Sequence, residues 1–146
     1  MFDPGSILLI KNYTFNNGEF KDKFCIVLHA DDKTSIIIHC LTTSKNKFGV
    51  SNQNFGCSIH DGIPYFCFPA FYEIERSQDF YFEKDTLVFF KDNIREKEIS
   101  ELQSSDVILK CKLSKKTLKR IIKCILKSRY TPQRLAKVLE LVKVDL

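Results

Sequence analysis

Four consecutive polar residues, Thr42, Thr43, Ser44 and Lys45, close an apolar run that begins Ile36-Ile37-Ile38-His39-Cys40-Leu41. Hydroxyls followed by a cation suit the holding of a phosphate, because a hydroxyl donates to a phosphate oxygen and an ammonium opposes its charge. The same residue types also end strands by bonding back onto their own backbone, a common turn device that explains them without a site. Lys21 and Lys23 add cations ahead of the run Phe24-Cys25-Ile26-Val27-Leu28. Cleavage of RNA through its 2′-hydroxyl needs a base for that hydroxyl, donors or cations for the phosphorane charge, and an acid for the leaving oxygen. Threonine is no base at neutral pH, but it can donate, and Lys23 can supply charge. Acid and base would fall to a histidine, since His29, His39 and His60 titrate near neutrality. His39 and Thr42 are an odd number of positions apart, so on a regular strand they face opposite sides. His60, in the loop-like segment Ile59-His60-Asp61-Gly62, is freer to reach the threonines.

Six cysteines fall largely within apolar segments and read as reduced, buried residues of a cytoplasmic protein. Cys57, His60, Cys67, His39 and Cys40 could offer zinc ligands, but no second Cys-x2-Cys half follows, and neither a metal nor another cofactor is expected. The longest apolar stretches are far shorter than the ~20 residues of a membrane span, and no charged-then-apolar leader opens the sequence.

Net charge is +5, unevenly spread. Residues 110–143 carry a net charge of +11, and residues 1–109 carry −5. A cationic block on an acidic body suggests a polyanionic partner such as nucleic acid, although a solvated basic face would have the same composition.

The elements that must position these residues are short. Strand-like runs occupy 6–15, 23–30 and 35–42, the latter two joined as a hairpin through Asp31-Asp32-Lys33. Residues 44–56 read as a polar loop, and 63–74 as an edge or interrupted strand because of Pro64 and Pro69. Another strand is expected over 85–90, a short helix over 93–104 and a half-buried strand over 106–114. Ser114 then caps an amphipathic helix with Leu118, Ile121, Ile122, Ile125 and Leu126 on one face and six cations on the other. Thr131 caps and Pro132 opens a second helix with Leu135, Val138, Leu139 and Val142 inside. The expectation is a single α+β domain over 1–146: a small β-barrel over 1–113, covered by a basic helical pair over 114–143. Phe66, Phe68, Phe71, Tyr72, Phe80, Tyr81 and Phe82 read as core, with base stacking as the other possibility.

The first 45 residues resemble the N-terminal half of the PemK/MazF family of toxin endoribonucleases. The likeness rests on Gly5-Ser6-Ile7-Leu8-Leu9, on Lys21-Asp22-Lys23 before the second strand, and on Cys40-Leu41-Thr42-Thr43-Ser44. It implies an SH3-like barrel, usually a homodimer, cutting single-stranded RNA without a metal and neutralised by an antitoxin protein. It places the catalytic threonine at Thr42 and the catalytic arginine at Lys23, with His60 the added acid–base candidate. Lys21, Thr43, Ser44, Lys45, Lys116, Lys119, Arg120 and Lys123 would bind RNA. The chain departs from the pattern at Lys23 (usually Arg), at Phe24 (usually Pro), and in having no carboxylate before Glu73 in the matching strand. Its second half is longer and more basic than the family's usual ending. Two further readings remain: a non-catalytic module on the same barrel, binding nucleic acid or a protein through the basic helices, and a structural protein dimerising through Phe-rich strands.

Overall fold

The computed structural model describes residues 1–103 and 106–146. Alternating apolar residues build a five-stranded antiparallel sheet from β1 (Ser6–Thr14), β2 (Phe20–Asp31), β3 (Ile36–Leu41), β7 (Arg95–Glu98) and β8 (Val107–Lys112), in the order β7-β3-β2-β1-β8. A second antiparallel sheet has the order β4-β5-β6, from β4 (Gly56–His60), β5 (Ile63–Phe68) and β6 (Thr86–Phe89). The helices are α1 (Ile99–Gln103), α2 (Lys115–Leu126) and α3 (Gln133–Val144).

Both faces of the large sheet are buried, which the period of two makes possible. Ile7, Ile26, Leu28, Ile38 and Cys40 face a core shared with Phe66, Phe68 and Val88 of the small sheet and with α2 and α3. Leu8, Ile10, Cys25, Val27, Ile37 and Leu41 face a second core closed by Leu102 of α1. A third cluster, with Tyr65, Cys67, Leu87 and Phe89, lies under Phe48 and Val50 of the 44–56 loop.

The expected closed barrel does not form. The chain is a mixed α/β structure of two open antiparallel sheets. A barrel needs continuous pairing around its circumference. Among the described residues β4 bonds only to β5, β7 and β8 are edges, and the sheets meet through a single bridge, Thr43 to Leu87. Helices α2 and α3 cover the shared core where a closing strand would lie.

Local departures have local causes. Residues 56–60 form a strand rather than a loop, because Asp61 and Gly62, at φ 48° and 76°, make the left-handed pair of a tight hairpin turn. That puts His60 on β4. Strand β5 is central, not an edge: Pro64 pairs with Ile59 at its start, outside the β6 ladder, and Pro69 follows its end. The helix expected over 93–104 is instead β7 followed by the short α1, because Arg95 to Glu98 pair with β3; Ser104 lies outside the described residues. In β8 a bulge opposite Ile7 and Leu8 breaks the expected alternation and leaves Ile108 and Leu109 exposed.

Helix α2 follows its sequence pattern: the Ser114 hydroxyl accepts from Thr117 N–H at 3.2 Å, and Leu118, Ile121, Ile122 and Ile125 are buried. In α3 Thr131 is not the cap expected of it: its hydroxyl donates to Ile125 O, the cap position is Pro132, with no side-chain cap, and Leu135 and Leu139 point inward. Cys57 of β4 and Cys124 of α2 form a disulfide, contrary to the all-reduced reading, while Cys25, Cys40, Cys67 and Cys111 are free and buried. Burial pushes the Cys67 thiol up to about 11, so these free thiols are poor nucleophiles.

The disulfide closes a loop of 67 residues, for which the chain-entropy model gives about 4 kcal/mol. Cys57→Ser/Cys124→Ser should therefore lower the unfolding free energy in urea by up to about that amount. Reductant should lower the wild type toward the variant and leave the variant unchanged; a reductant-insensitive wild type would contradict the cross-link.

Candidate functional site

The seam between the sheets holds the site. After β3 the chain runs along β6, where Thr43 N–H donates to Leu87 O and Leu87 N–H donates to Thr43 O, both at 2.8 Å. A cavity of 530 Å³ opens there, lined by Lys21, Lys23, Thr42, Thr43, Ser44 and Lys45 on one side and Tyr81, Glu83, Lys84 and Thr86 on the other. The cluster around Thr42 and the two lysines of β2 thus share one cavity.

Each member has a distinct state. Thr42 is 5 % exposed, and its hydroxyl donates to Phe24 O at 3.4 Å. Thr43 is half-buried; its Oγ1 accepts from Lys45 N–H at 3.1 Å, and its own proton has no acceptor among the described residues. The turn and the site are therefore compatible, since the turn uses the lone pair and leaves the donor. Lys23 reaches Thr42 O at 3.4 Å. Burial of its ammonium, with the cations Lys21, Lys47, Arg95 and Lys45 around it, holds Lys23 below the usual lysine range. Ser44 and Lys45 are exposed at the rim.

Two carboxylates line this cavity. Asp22 is committed elsewhere: it accepts from Asn12 N–H at 3.0 Å and from the Lys11 ammonium at 3.3 Å, and these bonds lower its pKa. Glu83 is exposed and makes no hydrogen bond or ion pair with the described residues. The sequence reading missed it because it comes from the loop before β6, not from a strand.

A second cavity of 430 Å³ shares Lys21, Lys23, Thr42 and Thr43 with the first and continues past Lys47, Lys91 and Arg95. Arg95 was also missed, since its segment reads as helix. On β7 it lies opposite His39, its guanidinium 5.7 Å from the Phe15 ring and its Nε donating to Asn93 Oδ1 at 3.2 Å. Asn93 is itself fixed, its amide donating to Leu41 O and Phe89 O and its Oδ1 accepting from Leu41 N–H. A guanidinium thus stands in the cavity that Lys23 lines, although no arginine occupies position 23.

The histidines lie elsewhere. His39 is fully buried on the opposite face from Thr42, as the spacing requires. A bulge between Ile10 and Tyr13 turns Tyr13 onto that face, its Oη 2.8 Å from His39 Nε2. Burial pushes the phenol up to about 12, so it keeps its proton, and His39 Nδ1 has no partner among the described residues. Burial, with the charge of Arg95, pushes His39 down to about 3, and it stays neutral. His60 is not in the site. The ladder from Thr43 through Leu87 and Cys67 to Gly56 spans about 14 Å, and His60 lies about 13 Å further along β4. There it pairs with Asp61 at 3.5 Å.

The helix cations are separate too. Lys116, Lys119, Arg120 and Lys123 line neither cavity, and Arg120 packs over the rings of Phe55 and Phe66 at 5.0 and 5.9 Å. Of the aromatics, Phe66, Phe68 and Phe82 are core, Phe80 is half-buried, and Phe71, Tyr72 and Tyr81 are exposed. Among the described residues no group of three or more His, Cys, Asp or Glu could hold a metal, and no helix is long and apolar enough to cross a membrane. Comparison with protein-family models, curated proteins and solved structures finds no match for the chain.

His39 makes a pH prediction. Its folded pKa lies below the unfolded value of ~6.5, so between the two the unfolded chain binds more protons and stability rises with pH. Its contribution is complete above ~6.5 and is lost as pH falls, at up to about 1.4 kcal/mol per unit. Urea unfolding at pH 7 and 5 should show this loss in the wild type and a smaller one in His39→Gln; equal losses would mean that His39 is not buried neutral.

Proposed function

We propose that the seam groove binds single-stranded RNA and cleaves it without a metal, as the resemblance to PemK/MazF-like toxins implies. One observation carries the reading: Lys21, Lys23, Thr42, Thr43 and Lys45 line a single open cavity together with the uncommitted Glu83. In the reaction, the Glu83 carboxylate takes the proton of the 2′-hydroxyl, and the 2′-oxygen attacks the adjacent phosphorus. The bond to the 5′-oxygen breaks, leaving a 2′,3′-cyclic phosphate and a 5′-hydroxyl. Lys23, whose lowered pKa makes its ammonium the better acid, donates the proton to the departing oxygen. The Thr43 hydroxyl and Lys21 would stabilise the phosphorane charge. Thr42, with its hydroxyl on Phe24 O, holds the turn that aims Thr43, and His60 has no part. An antitoxin presenting carboxylates would compete for the same cations, and a homodimer belongs to the same proposal.

A second reading is a non-catalytic module that binds nucleic acid or a protein through α2. It is favoured by Lys115, Lys116, Lys119, Lys123 and Lys127, none of which forms an ion pair with the described residues.

The test is incubation of purified protein with mixed-sequence single-stranded RNA in EDTA at low salt. Cyclic-phosphate ends are expected, with Glu83→Gln slower by about 10²- to 10⁴-fold and Lys23→Ala by about 10²-fold or more. Intact RNA, or equal cleavage by wild type and both variants, rejects the catalytic reading; salt-sensitive binding without products supports the second.

A further inference from the structure

The cavity beyond Thr43 does more than widen the groove. Five cations line it, Lys21, Lys23, Lys47, Lys91 and Arg95, against one acid, Asp92. None of the five forms an ion pair with the described residues. Besides burial, the charges of Lys21, Lys47 and Arg95 help to lower the pKa of Lys23, so the fold tolerates charge that it does not itself neutralise.

Three of these cations are held apart by different rings. The Lys47 ammonium lies 5.3 Å from the Phe48 centroid and 5.7 Å from that of Phe89, Lys91 lies 5.1 Å from Tyr130, and Arg95 lies 5.7 Å from Phe15. The loop carrying Lys47 and Phe48 is itself fixed. The Asn46 side chain donates to Val50 O at 2.8 Å and accepts from Val50 N–H at 2.9 Å, and Phe48 packs edge-on against Phe89 at 4.7 Å. Cations anchored separately around one rim match an extended polyanion better than a compact one.

We propose that Lys47, Lys91 and Arg95 form a second phosphate-binding site, which takes a phosphodiester next to the one held at Lys23 on the far side of Thr42 and Thr43. Arg95 is the specific element, its fork oriented by Asn93 and Phe15 so that it can grip a phosphate bidentately, while the two lysines contribute charge. The site makes the ligand a strand of at least two phosphates and directs it along the seam, not along α2. The assignment rests on the groove as an RNA site but does not require cleavage.

The test uses a single-stranded dodecamer of 2′-O-methyl RNA, which lacks the attacking hydroxyl, and reads its binding to the full chain by fluorescence anisotropy across a salt series. Lys47→Ala/Lys91→Ala, both on exposed segments, should bind at least tenfold more weakly at low salt. Its slope of log K against log[salt] should be shallower by about 1.4, two lost contacts at ~0.7 each for single strands. Arg95→Lys should weaken binding while leaving the slope unchanged, because the charge remains and the fork is lost. A slope that falls only in Lys116→Ala/Lys119→Ala/Lys123→Ala, or a polyglutamate of equal length binding more tightly than the dodecamer, overturns the site. Cleavage of ordinary RNA is followed in parallel. Intact RNA with Lys47- and Lys91-dependent binding rejects the nuclease and keeps the site; cleavage with an unchanged KM in Lys47→Ala/Lys91→Ala keeps the nuclease and rejects the site.

Discussion

Two backbone hydrogen bonds, exchanged between Thr43 and Leu87 at 2.8 Å, set the relation between the halves of this molecule. They join a five-stranded and a three-stranded sheet at one point, so the surfaces on either side of that point stay open as cavities. Had pairing continued beyond Thr43, backbone and side chains would fill the space in which the lysines now stand. Asn93 supports the same junction by bonding Leu41 and Phe89, one on each sheet, through a single side chain. The chemistry proposed for the groove depends on this incomplete closure.

Burial sorts the polar residues around the seam. His39 and Thr42 are close in sequence, yet the pleat sends one into a dry core and leaves the other at the cavity wall. In the core a histidine is a neutral hydrogen-bonding partner for Tyr13. At the wall Lys23 loses part of its hydration and is crowded by like charge, two effects that make an ammonium readier to release its proton. Residue type alone would have ranked these side chains the other way round.

Elements whose own periodicity decides them were legible in the sequence: β1 to β3, the cap and buried face of α2, and the inner face of α3. The grouping of Lys21, Lys23, Thr42, Thr43, Ser44 and Lys45 was legible as well, because the β2–β3 hairpin brings its ends together. Features decided by pairing with remote partners were not. Arg95-Glu96-Lys97-Glu98 has helical composition and becomes a strand only because β3 offers an edge. Glu83, Lys47 and Lys91 arrive on loops aimed by packing at a distance. The barrel failed as an expectation because strand count does not fix closure: among the described residues β4 finds a single neighbour, and α2, cross-linked to it, covers the core.

The outer strands of the large sheet have a further consequence. An edge strand presents unpaired amides and carbonyls to any extended chain that meets it, and a flat apolar edge invites fibrous self-association. Strand β7 is four charged residues in succession, of which Glu96 and Glu98 are exposed, and β8 carries a bulge beside Lys110, with Lys112 following. Charge on one side and a broken register on the other guard the sheet against growth by strand addition. That protection matters for a chain with thirteen phenylalanines, whose newly made copies expose much apolar surface before the cores close.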